Sequence, residues 1–225
     1  MFTIKNHTAN CVEEIVISNE NSRDRLLDIT QGRFPFPIAG KNGILIFGMC
    51  GTGKTELAKL LPSAIERSIA NEELIEEAEF LRCRQGVNGT AVMKLIDNIA
   101  ILHSFNASGL HYFTLDEMDI LTKEAQQSLK SAMNHPRTAF VLTTNHINQI
   151  DKGVRDRCFL IEMNAAKSQL WLPRVQAILA DYGVNDVSDH DLLPLIDSCN
   201  GSARNIINEA VYIAARRSKK LAELT

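Results

Sequence analysis

Gly48, Met49, Cys50, Gly51, Thr52, Gly53, Lys54, Thr55 and Glu56 concentrate the residue types that grip an anion. Gly48, Gly53, Lys54 and Thr55 stand at the spacing G-x-x-x-x-G-K-[ST]. Glycines at 48, 51 and 53 let the backbone take positive φ and approach a phosphate closely. Successive N–H groups then point inward around the phosphate chain. The helix that follows adds the positive end of its dipole. Lys54 has the reach for β- and γ-phosphates, and the Thr55 hydroxyl is a ligand for Mg²⁺. A nucleoside triphosphate with its magnesium, ATP first of all, is the ligand this chemistry suits.

Further groups stand at the ends of apolar runs. Residues 110–115 lead into Asp116 and Glu117. Asp116 would hold the waters of the same Mg²⁺, and Glu117, directed elsewhere, would orient and deprotonate an attacking water. Residues 139–143 lead into Thr144 and Asn145. The Asn145 amide suits a γ-phosphate or the attacking water, and reads equally as a turn-initiating asparagine. Arg155 and Arg157 bracket Asp156; they read either as a surface ion pair worth ~0–1 kcal/mol or as a source of a cation for a neighbouring subunit's γ-phosphate, worth ~10³–10⁵ in rate. Arg204 falls in the first turn of the last helix, where a cation opposes the dipole unless an anion lies opposite.

The elements that must position these groups follow from periodicity. Residues 44–47 form a buried strand ahead of the glycine loop. Further strands are expected at 79–84, 110–115, 139–143 and 159–163, most of them separated by helical stretches. That alternation argues for an α/β fold with a parallel sheet covered on both faces, with ligands beyond the C-terminal strand ends. A helix is expected over 22–31, and residues 34–37, Phe-Pro-Phe-Pro, form a loop. The apolar side chains of 12–17 either wall an adenine or belong to the core. The helix after the loop runs from Glu56 to an end or kink at Pro62. Residues 71–77 are expected to be helical, 86–89 a turn, and Thr90 the cap of a helix over 91–102. After Asn164 only helices follow, at about 166–182, 188–199 and 202–217, with Gly183 and Gly201 closing the first two and Pro173 kinking or starting the first. The expected division is 1–164 for the nucleotide-binding domain and 165–225 for a small all-α lid.

With 225 residues, 45% hydrophobic and 23% charged, the chain is of ordinary globular composition and can bury one core plus a satellite. The net charge of −3 gives no global attraction to nucleic acid, so DNA contacts would need a local patch. Arg82, Arg84, Lys94, Lys123 and Lys130, with the helix start at Thr90, are candidates. No apolar run reaches the ~20 residues that span a bilayer, and the polar first residues do not resemble a signal peptide. Five cysteines without C-x-x-C suggest a reducing, cytoplasmic setting. The six histidines show no ligand spacing, so no structural metal is expected.

Taken together these residues resemble AAA+ ATPases: Walker A at 48–55, Walker B at Asp116 and Glu117, sensor 1 at Asn145, an arginine finger, and sensor 2 at Arg204. Within that family the chain looks most like clamp-loader subunits of the replication factor C type. Asp116-Glu117-Met118-Asp119, then Leu121-Thr122 and Ala125-Gln126, resembles the D-E-A-D…L-T…A-Q pattern. Arg157-Cys158 resembles the end of the S-R-C motif, with Asp156 in place of its serine, and residues 201–205 the G-D-x-R motif. Residues 154–157 are also similar to the Holliday-junction branch-migration motor, which leaves Arg155 as an alternative to Arg157 for the finger. The resemblance implies a P-loop NTPase sheet of five parallel strands and ATP sites shared between like or homologous subunits in a ring or spiral. It implies catalytic roles for Lys54, Glu117, Asn145 and Arg157, and DNA with a sliding clamp or another replication protein as partners. The collar that follows the lid in clamp loaders is not expected here. A second reading therefore stands beside the first: an ATP-gated scaffold or helicase-loader-type protein with slow hydrolysis for recycling.

Overall fold

A computed structural model describes residues 5, 7–38, 40–83 and 89–222. In chain order the elements are α1 (Glu20–Thr30), β1 (Gly43–Phe47), α2 (Lys54–Ala70), β2 (Glu79–Arg82), α3 (Gly89–Ala100), β3 (His111–Asp116), α4 (Lys123–Ala132), β4 (Thr138–Thr144), α5 (Lys152–Asp156), β5 (Cys158–Glu162), α6 (Ser168–Asp181), α7 (Asp189–Ser198) and α8 (Ala203–Ala222). The five strands pair in the order β2-β3-β4-β1-β5, all parallel.

Successive side chains on a strand face opposite sides, and both sides are buried here. Leu45, Phe113, Leu115, Phe140 and Leu142 pack on one face with α3 and α4. Ile44, Ile46, Tyr112, Val141 and Ile161 pack on the other with α1 and α2. Continuous apolar runs, rather than half-polar alternation, are what such a double-sided sheet demands. Strands β1, β3 and β4 end together at their C-terminal edge, so the glycine loop, Asp116 and Asn145 converge there. Helices α6–α8 form a third core around Trp171, Val175, Ile178, Leu192 and Ile206.

The α/β fold with its parallel five-stranded sheet and helical lid is borne out, and several local expectations are corrected. Helix α2 does not end at Pro62 but runs to Ala70. A mid-helix proline costs ~3 kcal/mol, whereas Leu57, Leu61 and Ile65 are all fully buried, each stabilising by ~1.5–3 kcal/mol. Residues 71–77 are not helical. Asn71 turns the chain left-handed at φ 57° and closes α2. The N–H groups of Ile75 and Glu76 then donate to Asn106 Oδ1, at 3.1 and 2.9 Å. One distant side chain thus satisfies backbone that a helix would otherwise pair internally. Thr90 lies inside α3, which begins at Gly89, rather than capping it. Pro173 lies inside α6 and does not mark its start. Arg84 and most of the turn expected at 86–89 lie outside the described residues.

Candidate functional site

The loop between β1 and α2 is shaped by glycines at positive φ. Gly48 has φ 138°, and a Cβ there would stand 2.4 Å from the Met163 carbonyl oxygen. Gly51 has φ 82° and lies against Ser202, just ahead of α8. The loop is tied to the end of β5: Met49 N–H donates to Asn164 Oδ1 at 3.2 Å, and Thr52 Oγ1 to the Met163 carbonyl at 2.9 Å. Lys54, only 7% exposed, turns back over the loop, where Nζ donates to the carbonyls of Gly48 (3.0 Å) and Met49 (2.6 Å). Burial pulls its pKa down, and Cys50, Asp119, Asp116 and Glu117 partly offset this. An ammonium held by neutral carbonyls over a cradle of glycines gains the attraction of an opposite charge when phosphate oxygens replace them.

Asp116 is 1% exposed at the end of β3. Thr55 Oγ1 donates to its Oδ1 at 2.9 Å, joining the two groups assigned to the metal from sequence. Arg82, its strand neighbour in β2, brings Nε to 3.7 Å from Oδ2. That contact ties this DNA candidate to the site. Glu117 follows with left-handed backbone, φ 59°. A β-to-left-handed switch turns its exposed side chain away from the line of β3, and such strain at a non-glycine residue clusters at functional sites. Among the described residues no group of three or more His, Cys, Asp or Glu forms a metal cage. One buried carboxylate and one hydroxyl beside a phosphate cradle are instead the donor set that suits Mg²⁺, which keeps its waters and shares substrate phosphates.

These groups border a cavity of about 750 Å³. Residues 50–56, Asp116, Glu117, Asn145 and Arg204 all line it, so the sequence-assigned residues of three strand ends and the lid do come together. Gly48 and Met49 do not line it but supply the carbonyls that hold Lys54. Ile15, Val16, Trp171, Ile207, Val211 and Tyr212 give the cavity an apolar end. Of residues 12–17, then, Ile15 and Val16 wall the cavity, while Val12 and Ile17 are core. Arg204 is exposed, second in α8, and forms no ion pair among the described residues.

Arg155 and Arg157 do not line this cavity. Arg157 is held at the α5–β5 junction by Asn134 Oδ1 (3.2 Å from Nε, 3.0 Å from Nη2) and the Gly153 carbonyl (3.0 Å). Arg155 Nε is buried without a hydrogen-bond partner among the described residues. Neither arginine pairs with Asp156 among those residues. Lys94 and Lys123 are exposed on α3 and α4, and Lys130 is half-buried.

Sequence reasoning missed three contributors. Thr143 bonds both Asp116 and Glu117, yet a threonine in an apolar strand signals only β-propensity. Arg174, from α6, joins Glu14 and the His7 carbonyl at the cavity. Asn164 holds the loop from just beyond the end of β5. Only the position of Asn164 at a strand end gave any signal.

Residues 44–164 match the family model described as ATPase family associated with various cellular activities (AAA). The chain belongs to this family. It is 26% identical over 211 residues to replication factor C small subunit 2 of Pyrobaculum islandicum, covering 92% of this chain and 62% of that protein. It is 28% identical over 184 residues to replication factor C subunit 3 of Oryza sativa subsp. japonica, covering 77% of this chain and 49% of that one. The chain thus spans less than two thirds of the length of these relatives. Among solved structures, RuvB of Thermotoga maritima superposes with a TM-score of 0.68 at 16% identity, covering 92% of this chain and 64% of that one. PCH-2 of C. elegans gives 0.58 at 13% identity, covering 92% and 72%. Both likenesses are of fold.

Proposed function

We propose that this AAA ATPase binds ATP with Mg²⁺ between the glycine loop and Asp116, under the lid formed by α6–α8, and hydrolyses it to ADP and phosphate at a subunit interface. The observation that carries the reading is the meeting of Thr55 and Asp116 at 2.9 Å, directly beside a glycine loop whose lysine, among the described residues, hydrogen-bonds the neutral carbonyls of Gly48 and Met49. Residues 50–56 and Lys54 take the phosphates, the apolar end takes the base, and Arg204 reaches the phosphates from the lid. When bound, Mg²⁺ on Thr55 and Asp116 supplies neutralisation of phosphate charge. Glu117 takes the proton of the attacking water, and Asn145 orients that water or the γ-phosphate. Arg157, pre-set by Asn134, is the group offered to a neighbouring subunit's γ-phosphate, with Arg155 as the alternative. We take residues 1–164 and 165–225 as the two domains.

The likeness to replication factor C subunits supports a place in a DNA-replication or DNA-remodelling step, with like or homologous subunits in a ring or spiral and DNA and a sliding clamp as partners. A head-to-tail interface of this kind is heterologous: it makes a ring where the rotation closes and a spiral where it does not. Steady-state ATP hydrolysis, measured with and without primed DNA and a sliding clamp, tests the reading. Strong stimulation by both supports it. Slow turnover indifferent to both replaces it with the ATP-gated scaffold.

A further inference from the structure

We propose that the two consecutive threonines closing β4 are positioning residues: Thr143 for Asp116 and Glu117, and Thr144, through Asp119, for Asn145. The proposal rests on the reading of this site as a magnesium-nucleotide site and names the groups that hold it in register.

Both threonines are buried, at 2% and 1% exposure, as is Asp116. A hydroxyl carries one hydrogen and two acceptor sites, and Thr143 uses both functions. Its Oγ1 donates to Asp116 Oδ1 at 2.6 Å, a short bond to a carboxylate. It accepts the Glu117 N–H at 3.0 Å. One atom thus fixes the orientation of the Asp116 carboxylate and the backbone from which Glu117 departs in its left-handed turn. Thr55 shares the same Oδ1 at 2.9 Å, so Thr143 completes a Thr55–Asp116–Thr143 line across the C-terminal edge of the sheet.

Thr144 faces the other side of the strand and serves a different carboxylate. Its Oγ1 donates to Asp119 Oδ1 at 2.7 Å and accepts the His146 N–H at 2.9 Å. Asp119 Oδ1 also accepts the Asn145 N–H at 3.2 Å. The turn carrying Asn145 is therefore built on Asp119, one residue beyond the fully buried Met118. Thr143 thus braces the metal carboxylate and the base, and Thr144 the turn that carries Asn145. Simple packing explains neither, because valine would fill either place with the same shape.

The test compares T143V, T143S and T144V in the full chain. One readout is the Mg²⁺ concentration needed for tight binding of a fluorescent ATP analogue; the other is kcat and KM at saturating Mg²⁺. T143V should raise the Mg²⁺ requirement and lower kcat about 10–100-fold, the usual effect of removing an orienting partner. T143S, which keeps the hydroxyl, should stay near wild type. T144V should lower kcat and leave the Mg²⁺ requirement unchanged. Should T143V fail to fold, T143A removes the same hydroxyl with less bulk and carries the same expectation. Wild-type values in T143V, or T143S failing as T143V does, overturn the brace while the nucleotide site stands. A wild-type chain without Mg²⁺-dependent binding overturns the site reading and the brace with it.

Discussion

Ile15 and Val16 are neighbours in the chain but pack into different cores: Ile15 against the sheet core beneath α2, Val16 against the three-helix core of the lid. Both also line the cavity. The segment ahead of α1 is therefore a strap between the two halves of the site. Arg174 of α6 fastens it, with Nη1 3.1 Å from Glu14 and Nη2 donating to the His7 carbonyl at 3.0 Å. His7 in turn meets the hydroxyl of Tyr182, just after α6, at 2.9 Å.

Replacing Arg174 by leucine should loosen this fastening. Hydrogen bonds to charged groups contribute ~1.5–3 kcal/mol when buried. Partial exposure of Glu14 puts the loss at the lower end. For a chain of this size each kcal/mol lowers Tm by about 2–4 °C. Thermal melts should show that drop, and a nucleotide titration should show weaker binding because one wall is no longer fixed. An unchanged melt and unchanged affinity would show that the strap does not hold the lid.

Gly48→Ala should be among the most damaging single-methyl changes. The left-handed-side backbone alone costs ~1–3 kcal/mol for a non-glycine residue. The added Cβ also meets the Met163 carbonyl oxygen at 2.4 Å, a backbone atom that cannot swing aside. Loss of nucleotide binding with a lowered Tm is expected. Binding at wild-type strength would mean the loop does not hold this shape.

Cys50 offers a chemical probe of the same loop. It is exposed at the cavity, whereas Cys83 and Cys158 are buried and their thiols are pushed up to about 12 by that burial. Thiolate is the reactive form, so alkylation followed by peptide mapping should find Cys50 ahead of those two. ATP with Mg²⁺ should slow its modification. A rate indifferent to nucleotide would place the ligand elsewhere.

Glu117→Gln should bind nucleotide as the wild type does and lose turnover, since the amide keeps size and polarity but takes no proton. Binding assays beside phosphate release separate the two effects. Turnover at the wild-type rate would remove Glu117 from the role of base.

What was legible in the sequence follows from how local each signal is. The strand, glycine loop and Lys54-Thr55 sit within a dozen residues, and apolar runs ending in Asp116 and Asn145 announce the sheet edge. What stayed hidden depends on distant partners. Residues 71–77 have helical composition, but Asn106 captures their backbone. Pro62 reads as a stop or a kink, and the buried face of α2 carries the helix past it. Thr143 reads as an ordinary strand residue until Asp116 is placed beside it. The strap is invisible because Ile15 and Val16 look alike and only the fold sends them to separate cores.

The most direct measurement is equilibrium titration of the chain with labelled ATP and Mg²⁺, run in parallel on Lys54→Ala. The wild type should bind saturably, and the variant, having lost the ammonium held by the Gly48 and Met49 carbonyls, should bind at least tenfold more weakly, about 1.4 kcal/mol or more. No uptake by the wild type, or equal affinity in the variant, would contradict the account.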